Sequence, residues 1–118
     1  MAYKDEVGRA GEQLAAQWVV DQGWELLARN WRVARGEIDL IAREGDTVVA
    51  IEVKTRTSAT FGGALAAVTP PKVARLRRLF GHWLAEQTVR TGEVRIDVIA
   101  VTLAPGRIPE VTHLRGVA

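Results

Sequence analysis

The sequence predicts a single mixed α/β domain in the order α-β-β-β-α-β-β, a mixed central sheet with a helix to cover each face. Three observations predict it: two segments with apolar residues at three- and four-residue spacing, a pair of apolar strands joined by a two-residue turn signal, and 118 residues without a repeat or long linker. A chain of this length can bury one core of ordinary domain size, so residues 1–118 are expected to form one unit.

The first helix is expected over residues 4–22, where Val7, Ala10, Gly11, Leu14, Ala15, Trp18 and Val19 form one apolar stripe. Gly23 supplies a left-handed stop. A short strand follows around Trp24 to Asn30, then strands over about 36–44 and 47–55, then a loop containing Phe61-Gly62-Gly63. Thr69 is placed to cap a second helix with Pro70 at its first position. That helix is expected to reach about Thr88, burying Val73, Leu76, Phe80, Trp83 and Leu84. A strand over 94–103 and a shorter one near 110–115 complete the order.

Composition narrows the function. With 47% hydrophobic and 25% charged residues the chain is globular rather than disordered. It has no cysteine, which excludes disulfides, thiolate zinc sites and a cysteine nucleophile, and fits a reducing compartment. The amino terminus is charged, and no run approaches the ~18 apolar residues of a membrane span, so a soluble cytoplasmic protein is expected. The formal charge of +2 is unevenly spread: residues 29–78 carry ten Lys/Arg against five Asp/Glu, and the remainder six against nine. A basic middle suits a polyanionic partner, and solvated surface charge accounts for it equally well.

The chemistry is concentrated in Gly36-Glu37-Ile38-Asp39-Leu40-Ile41-Ala42 and Ile51-Glu52-Val53-Lys54. Gly45-Asp46 reads as a two-residue hairpin loop, since glycine takes the positive φ of a primed turn. Glu44 then faces Thr47, and Ile38, Leu40 and Ala42 face Val53, Ile51 and Val49 on one apolar side. The same register sets Asp39 opposite Glu52 and Glu37 opposite Lys54 on the other side. Two carboxylates paired so closely repel, and covering helices raise the cost by desolvating them. A shared proton, basic neighbours or a divalent cation would relieve it. An all-oxygen donor set favours Mg²⁺ or Mn²⁺, and Lys54, two residues beyond Glu52, is placed to orient or deprotonate a water. The residues alone leave a metal site and a salt-bridged surface both open, and a one-residue slip or bulge would remove the facing pair.

With these residues in view, the chain resembles the PD-(D/E)xK nucleases, which share the restriction-endonuclease-like fold with archaeal Holliday junction resolvases, and more closely the YraN family of small bacterial proteins. The resemblance runs through Gly11-Glu12, Ala28 to Arg32, Gly36 to Ala42, Glu52-Val53-Lys54-Thr55-Arg56, Phe61-Gly62, Ala67 to Pro70 with Lys72, and Arg95 to Val98. Ile38 stands where the superfamily's naming proline would be. The resemblance implies an αβββαβ core, Asp39, Glu52 and Lys54 as catalytic residues, Asp39 and Glu52 as ligands of Mg²⁺ or Mn²⁺, and Glu12 as a further metal contact. Because resolvase relatives act as dimers, it also implies a homodimer.

Other residues carry two readings each. Glu37 is a salt-bridge partner for Lys54 or a ligand. Lys72, Arg75 and Arg78 form a basic stripe, for phosphate or for solvent. Arg56 beside the cleft, and Arg32 and Arg35 at its other end, suit phosphate contacts. Asp97, mid-strand among apolar residues, should bond a backbone group or an arginine. Trp18, Trp24 and Trp83 read as core; Trp31 does too, with base stacking the alternative. His82 and His113 have no metal-ligand spacing. The leading expectation is a metal-dependent nuclease hydrolysing phosphodiesters in DNA, including branched DNA. The alternatives are a non-catalytic nucleic-acid-binding module on the same fold and a structural adaptor with a salt-bridged patch.

Overall fold

The computed structural model describes residues 3–57, 68–87 and 92–117. Helix α1 (Tyr3–Asp21) leads into strands β1 (Glu25–Val33), β2 (Gly36–Glu44) and β3 (Thr47–Arg56). Helix α2 (Pro70–Ala85), strand β4 (Glu93–Thr102) and strand β5 (Glu110–Leu114) follow. The predicted element order is therefore the observed one. The loop expected around Phe61-Gly62-Gly63 lies outside the described residues. No helix among those described is long and apolar enough to cross a membrane.

The five strands form one mixed sheet in chain order, antiparallel except for the β3–β4 pair. Parallel neighbours need a long crossover, and α2 lies in the segment that connects them. Ala15, Ala16 and Val19 of α1 pack with Leu40, Ala42, Val49, Ile51, Ile99 and Val101. On the opposite face Leu76, Leu79, Phe80 and Trp83 of α2 pack with Ile38, Ile41, Val48, Ala50 and Ile96. Both parities of β3 are thus buried, which is why its Thr47–Val53 run reads as nearly continuous apolar sequence rather than an alternation.

The local signals act as expected with small displacements. Gly23 has φ +84°, and its N–H and that of Trp24 donate to Val20 and Val19 carbonyls at 2.9 and 3.2 Å, closing α1. Gly45 has φ +59° while Asp46 is not left-handed, the pattern of a type II′ hairpin turn. The Lys72 N–H donates to Thr69 Oγ1 at 3.4 Å, and the two prolines occupy the first turn of α2. That helix ends at Ala85, short of Thr88. Leu79 joins its buried face, whereas Val73 and Leu84 are only half buried. Ala10 is exposed, and Ala16 takes a place in the α1 core instead.

The main departure is in the pleat. Leu40↔Ile51 through Glu44↔Thr47 pair in the expected register, but the ladder goes no further toward Asp39. Ile38 belongs with Ile41 on the α2 face, three residues apart, where strict alternation would put them on opposite faces. β1 does the same: Ala28 and Trp31 both pack against the α2 cluster. Between them Asn30 has φ +50°, the left-handed conformation that asparagine tolerates. Trp31↔Ile38 and Arg29↔Leu40 pair on either side of the Asn30/Asp39 level. The pleat therefore changes phase in both strands at that level, and Ile38 does not share a face with Leu40 and Ala42.

Candidate active site

Asp39 is 9% exposed, and its Oδ2 accepts from the Val53 backbone N–H at 2.8 Å. The carboxylate occupies the place where the β2–β3 ladder has stopped, so it bonds a donor that the parting strand leaves behind. The expected cross-strand pairing of Asp39 with Glu52 is corrected accordingly: the two are not ladder partners. They still act on one another. Burial raises the Asp39 pKa from the ordinary 3.8 to about 7; the Val53 N–H opposes this, and the charges of Glu52, Glu12 and Glu37 add to it.

Glu52 is half buried. Burial raises its pKa, against the pull of Lys54, Lys72 and Arg75. Glu52 has the parity of Val48 and Ala50 on the α2 face, and two of those three cations belong to α2. Asp39 feels Glu12 of α1 as well as Glu52, so it stands at the parted strand ends within electrostatic reach of both layers. Burial likewise lowers the pKa of Lys54, and the neighbouring Lys72 lowers it further.

Gly11 explains how α1 reaches this point. A Cβ there would collide with the side chain of Thr55, the residue after Lys54. The missing side chain lets the helix backbone lie against β3 and brings the half-buried Glu12 toward Asp39.

Glu37 departs from its expected partner. Its Oε2 accepts from Arg32 Nε at 2.9 Å, across the β1–β2 pairing, rather than from Lys54. Both side chains of that pair are well exposed. Lys72 lies beside Lys54 and Glu52, closer to the acids than its place in a helical stripe suggested. Arg75 and Arg78 continue along α2 to a cleft that they line together with Arg35 and His82. Arg56 pairs with Thr102 at the end of the β3–β4 ladder, and its carbonyl accepts from the Leu103 N–H at 2.7 Å.

Among the described residues no three His, Asp or Glu side chains gather to make a ready metal cage, so the donor set to be judged is the Asp39–Glu52 pair. It fits a hard divalent cation. Both groups are oxygen donors whose charged forms are penalised by burial more than their neighbours offset. Mg²⁺ commonly binds through one or two carboxylates and keeps several waters.

A second charged cluster had little sequence signal beyond the buried position of Asp97. That residue is fully buried; it accepts from Arg95 Nε and Nη2 at 2.8 and 2.9 Å and from Gly116 N–H at 2.9 Å, and lies 2.7 Å from His113 Nε2. The expectation that it would bond backbone or arginine holds for both. Burial alone would raise its pKa, yet Arg95, Gly116 and His113 hold it below the usual range. Arg95 also pairs with Glu44 at 2.9 Å and lies 5.5 Å over the Trp24 ring. Glu44 in turn takes both Arg115 amines at 3.0 and 3.1 Å. The network ties the segment after β5 to β4 and β2. His113 contacts Trp18 and Trp24, at centroid distances of 4.8 and 5.5 Å, so its place is in the core.

Fold and site together define the class: an α/β domain with an αβββαβ-type core and an acid pair with a lysine at the parted ends of β2 and β3, consistent with the PD-(D/E)xK superfamily. Uncharacterised protein family UPF0102 matches residues 11–101. A UPF0102 protein of Mycolicibacterium vanbaalenii is 56% identical over 113 residues, covering 96% of this chain and 93% of the relative. Those of Beutenbergia cavernae and Leifsonia xyli are 50% and 48% identical over 117 residues, covering 99% of both partners. The chain belongs to the UPF0102, or YraN-like, family.

Proposed function

We propose that this chain hydrolyses phosphodiesters in DNA, branched or otherwise structured forms included, with Mg²⁺ or Mn²⁺ held by Asp39 and Glu52. The observation that carries the reading is the pair of desolvated carboxylates, each raised above its ordinary pKa, beside a lysine lowered below its own. A structural surface has no use for that arrangement, and a pure polyanion binder would do better with cations in place of the acids.

When bound, the ion supplies Lewis-acid polarisation of the phosphate and a lower pKa for water. Asp39 is fixed by the Val53 N–H through Oδ2, which leaves Oδ1 for the ligand role. Glu52 offers the second carboxylate, and Glu12 adds negative charge from α1. A water attacks phosphorus and gives a proton to Lys54 Nζ in its neutral form, while the P–O bond to the leaving nucleoside breaks and the departing oxygen takes a proton from solvent. Burial and the charge of Lys72 lower the Lys54 pKa and so favour that neutral form. Arg32, Arg35, Arg56, Lys72, Arg75 and Arg78 supply positive charge for the phosphate backbone. A homodimer would let so small a domain cut two strands together.

Calorimetry with Mn²⁺, alone and with a short duplex, tests the metal site: wild type gives a binding event that Asp39→Ala loses. Cleavage of linear, nicked, flapped and four-way DNA then tests the reaction, which Lys54→Ala should slow by at least 100-fold. No heat with either protein, duplex present, refutes the metal site. Binding of all four DNAs with no cleavage leaves a nucleic-acid-binding module on the same fold.

A further inference from the structure

Beyond the acids, the basic stripe of α2 leads into a cleft of about 560 Å³ between that helix and the β1–β2 turn. Arg35 enters it from the turn, and Arg75, Arg78 and His82 from the helix. All four are exposed. Lys72 to His82 spans ten residues, about 15 Å of helix axis, and Lys72 and Arg75 both act on Glu52. The stripe is therefore a continuous track from the carboxylates to the cleft.

Among the described residues no carboxylate forms an ion pair with Arg35, Arg75 or Arg78, and His82 has one acidic neighbour, Glu86 at 3.9 Å. The segments 58–67 and 88–91 contain no Asp or Glu that could supply a partner. Among the described residues Arg35 and Arg78 thus line the cleft without an ion-paired carboxylate, while Arg75 also acts on Glu52; guanidiniums so placed favour an anion from outside. The floor of the cleft is different in kind. It is formed by Val33 and the buried Leu79, and the rim carries the His82 ring, held edge-on to Trp31 at 5.8 Å. A flat duplex backbone would use the arginines and leave this apolar floor empty. A nucleotide whose base is unpaired uses both, phosphate on guanidinium and base on the floor and ring.

We propose that the cleft of Arg35, Arg78 and His82 binds one nucleotide of an unpaired strand, whose backbone continues along Arg75 and Lys72 to the acids. The placement of the strand relative to Asp39 and Glu52 rests on the hydrolytic reading; the cleft itself does not. The substrate class this defines is DNA with a single-stranded arm next to the cut site.

The test is fluorescence anisotropy of the full chain in EDTA, with a twelve-residue oligothymidylate, the same strand with its bases removed, and a twelve-pair duplex. Arg35→Glu/Arg78→Glu should weaken the oligothymidylate at least tenfold, and at least threefold more than the duplex. Arg77→Glu, on the same helix but lining other clefts, serves as the equal-charge control for Arg78→Glu alone, and should cost less than threefold where Arg78→Glu costs more. Arg35→Gln/Arg78→Gln should flatten the slope of log affinity against log salt by about 1.4, that is about 0.7 for each of two phosphates. The base-free strand should bind wild type at least fivefold more weakly. Equal losses for Arg77→Glu and Arg78→Glu, equal losses for strand and duplex, or equal binding of the base-free strand would each overturn the proposal. Thermal melts of every variant guard against misfolding at these exposed positions. Should all DNAs resist cleavage while these contrasts hold, the hydrolytic reading fails and the cleft stands. If cleavage proceeds while the paired variant binds like wild type, only the cleft fails.

Discussion

Replacing Asp39 by Asn should make the protein more stable, by an amount that grows from about pH 4 and is full above about pH 7. The Asp39 carboxyl has a pKa of about 7 in the folded chain against an ordinary 3.8. Below about pH 4 both folded and unfolded chains hold the proton and the group costs nothing. Between those two values the unfolded chain has released its proton and the folded chain has not, so stability falls as pH rises. Above pH 7 the loss is complete. At about 1.4 kcal/mol per pH unit the gap amounts to about 4 kcal/mol. Asparagine removes the titration while its side-chain carbonyl can still accept from the Val53 N–H, the one hydrogen bond that Asp39 makes there. Urea unfolding at pH 4 and pH 8 reads the difference. With a slope of about 2 kcal/mol per molar urea, the midpoints of the two proteins should nearly coincide at pH 4 and differ by about 2 M at pH 8, Asp39→Asn being higher. Millimolar Mn²⁺ should raise the wild-type midpoint at pH 8 and leave that of the variant unchanged, because only the ionised pair gains from the cation. Parallel stability curves from pH 4 to pH 8, or an equal effect of Mn²⁺ on both proteins, would refute the reasoning.

Other substitutions probe the scaffold around the site. Gly11→Ala should destabilise by about 1–3 kcal/mol, because its Cβ meets Thr55, while Gly8→Ala on the same helix, with nothing near its Cβ, should stabilise by about 0.5–1 kcal/mol; paired thermal melts check the opposite signs. Asp97→Asn removes the buried charge that Arg95, His113 and the Gly116 N–H share, leaving Arg95 only Glu44, and should cost about 3–5 kcal/mol at pH 7 by chemical denaturation. Since the Asp97 pKa lies below the ordinary value, that cost is full above about pH 4 and should shrink as pH falls further, protonating the wild-type carboxyl.

Much of this architecture could be read from the chain because its local signals agree with one another. Gly23, Gly45, Thr69 and Pro70 each fall where the backbone needs them, and the apolar spacing of α1 and α2 leaves one buried face on each. The hairpin register followed from one turn, and it holds from Glu44↔Thr47 to Leu40↔Ile51. His82 was missed because a lone histidine has no metal-ligand spacing; its relation to Lys72, Arg75 and Arg78, continuing one helical face, was the available signal. The reach of Asp97 to Gly116 and His113 is long in sequence, and nothing periodic announces such a contact.

The error in the hairpin is the more instructive one, because it concerns how the acids meet. Strict alternation set Asp39 directly opposite Glu52, and an ordinary ladder would have brought two carboxyl groups face to face. A left-handed Asn30 in β1 and the phase change at Asp39 in β2 break that geometry at one level of the sheet. The cost is a lost stretch of ladder; the gain is a carboxylate anchored by a backbone N–H, which orients it without neutralising it. Asparagine inside an apolar strand was the one mark of this in the sequence, since few other residues accept positive φ there. An irregularity that breaks pairing in two adjacent strands, next to a desolvated acid, is hard to account for as packing alone. On the proposed hydrolytic reading, it is the form expected of a strand end that would hold one ligand rigid beside an ion and a phosphate.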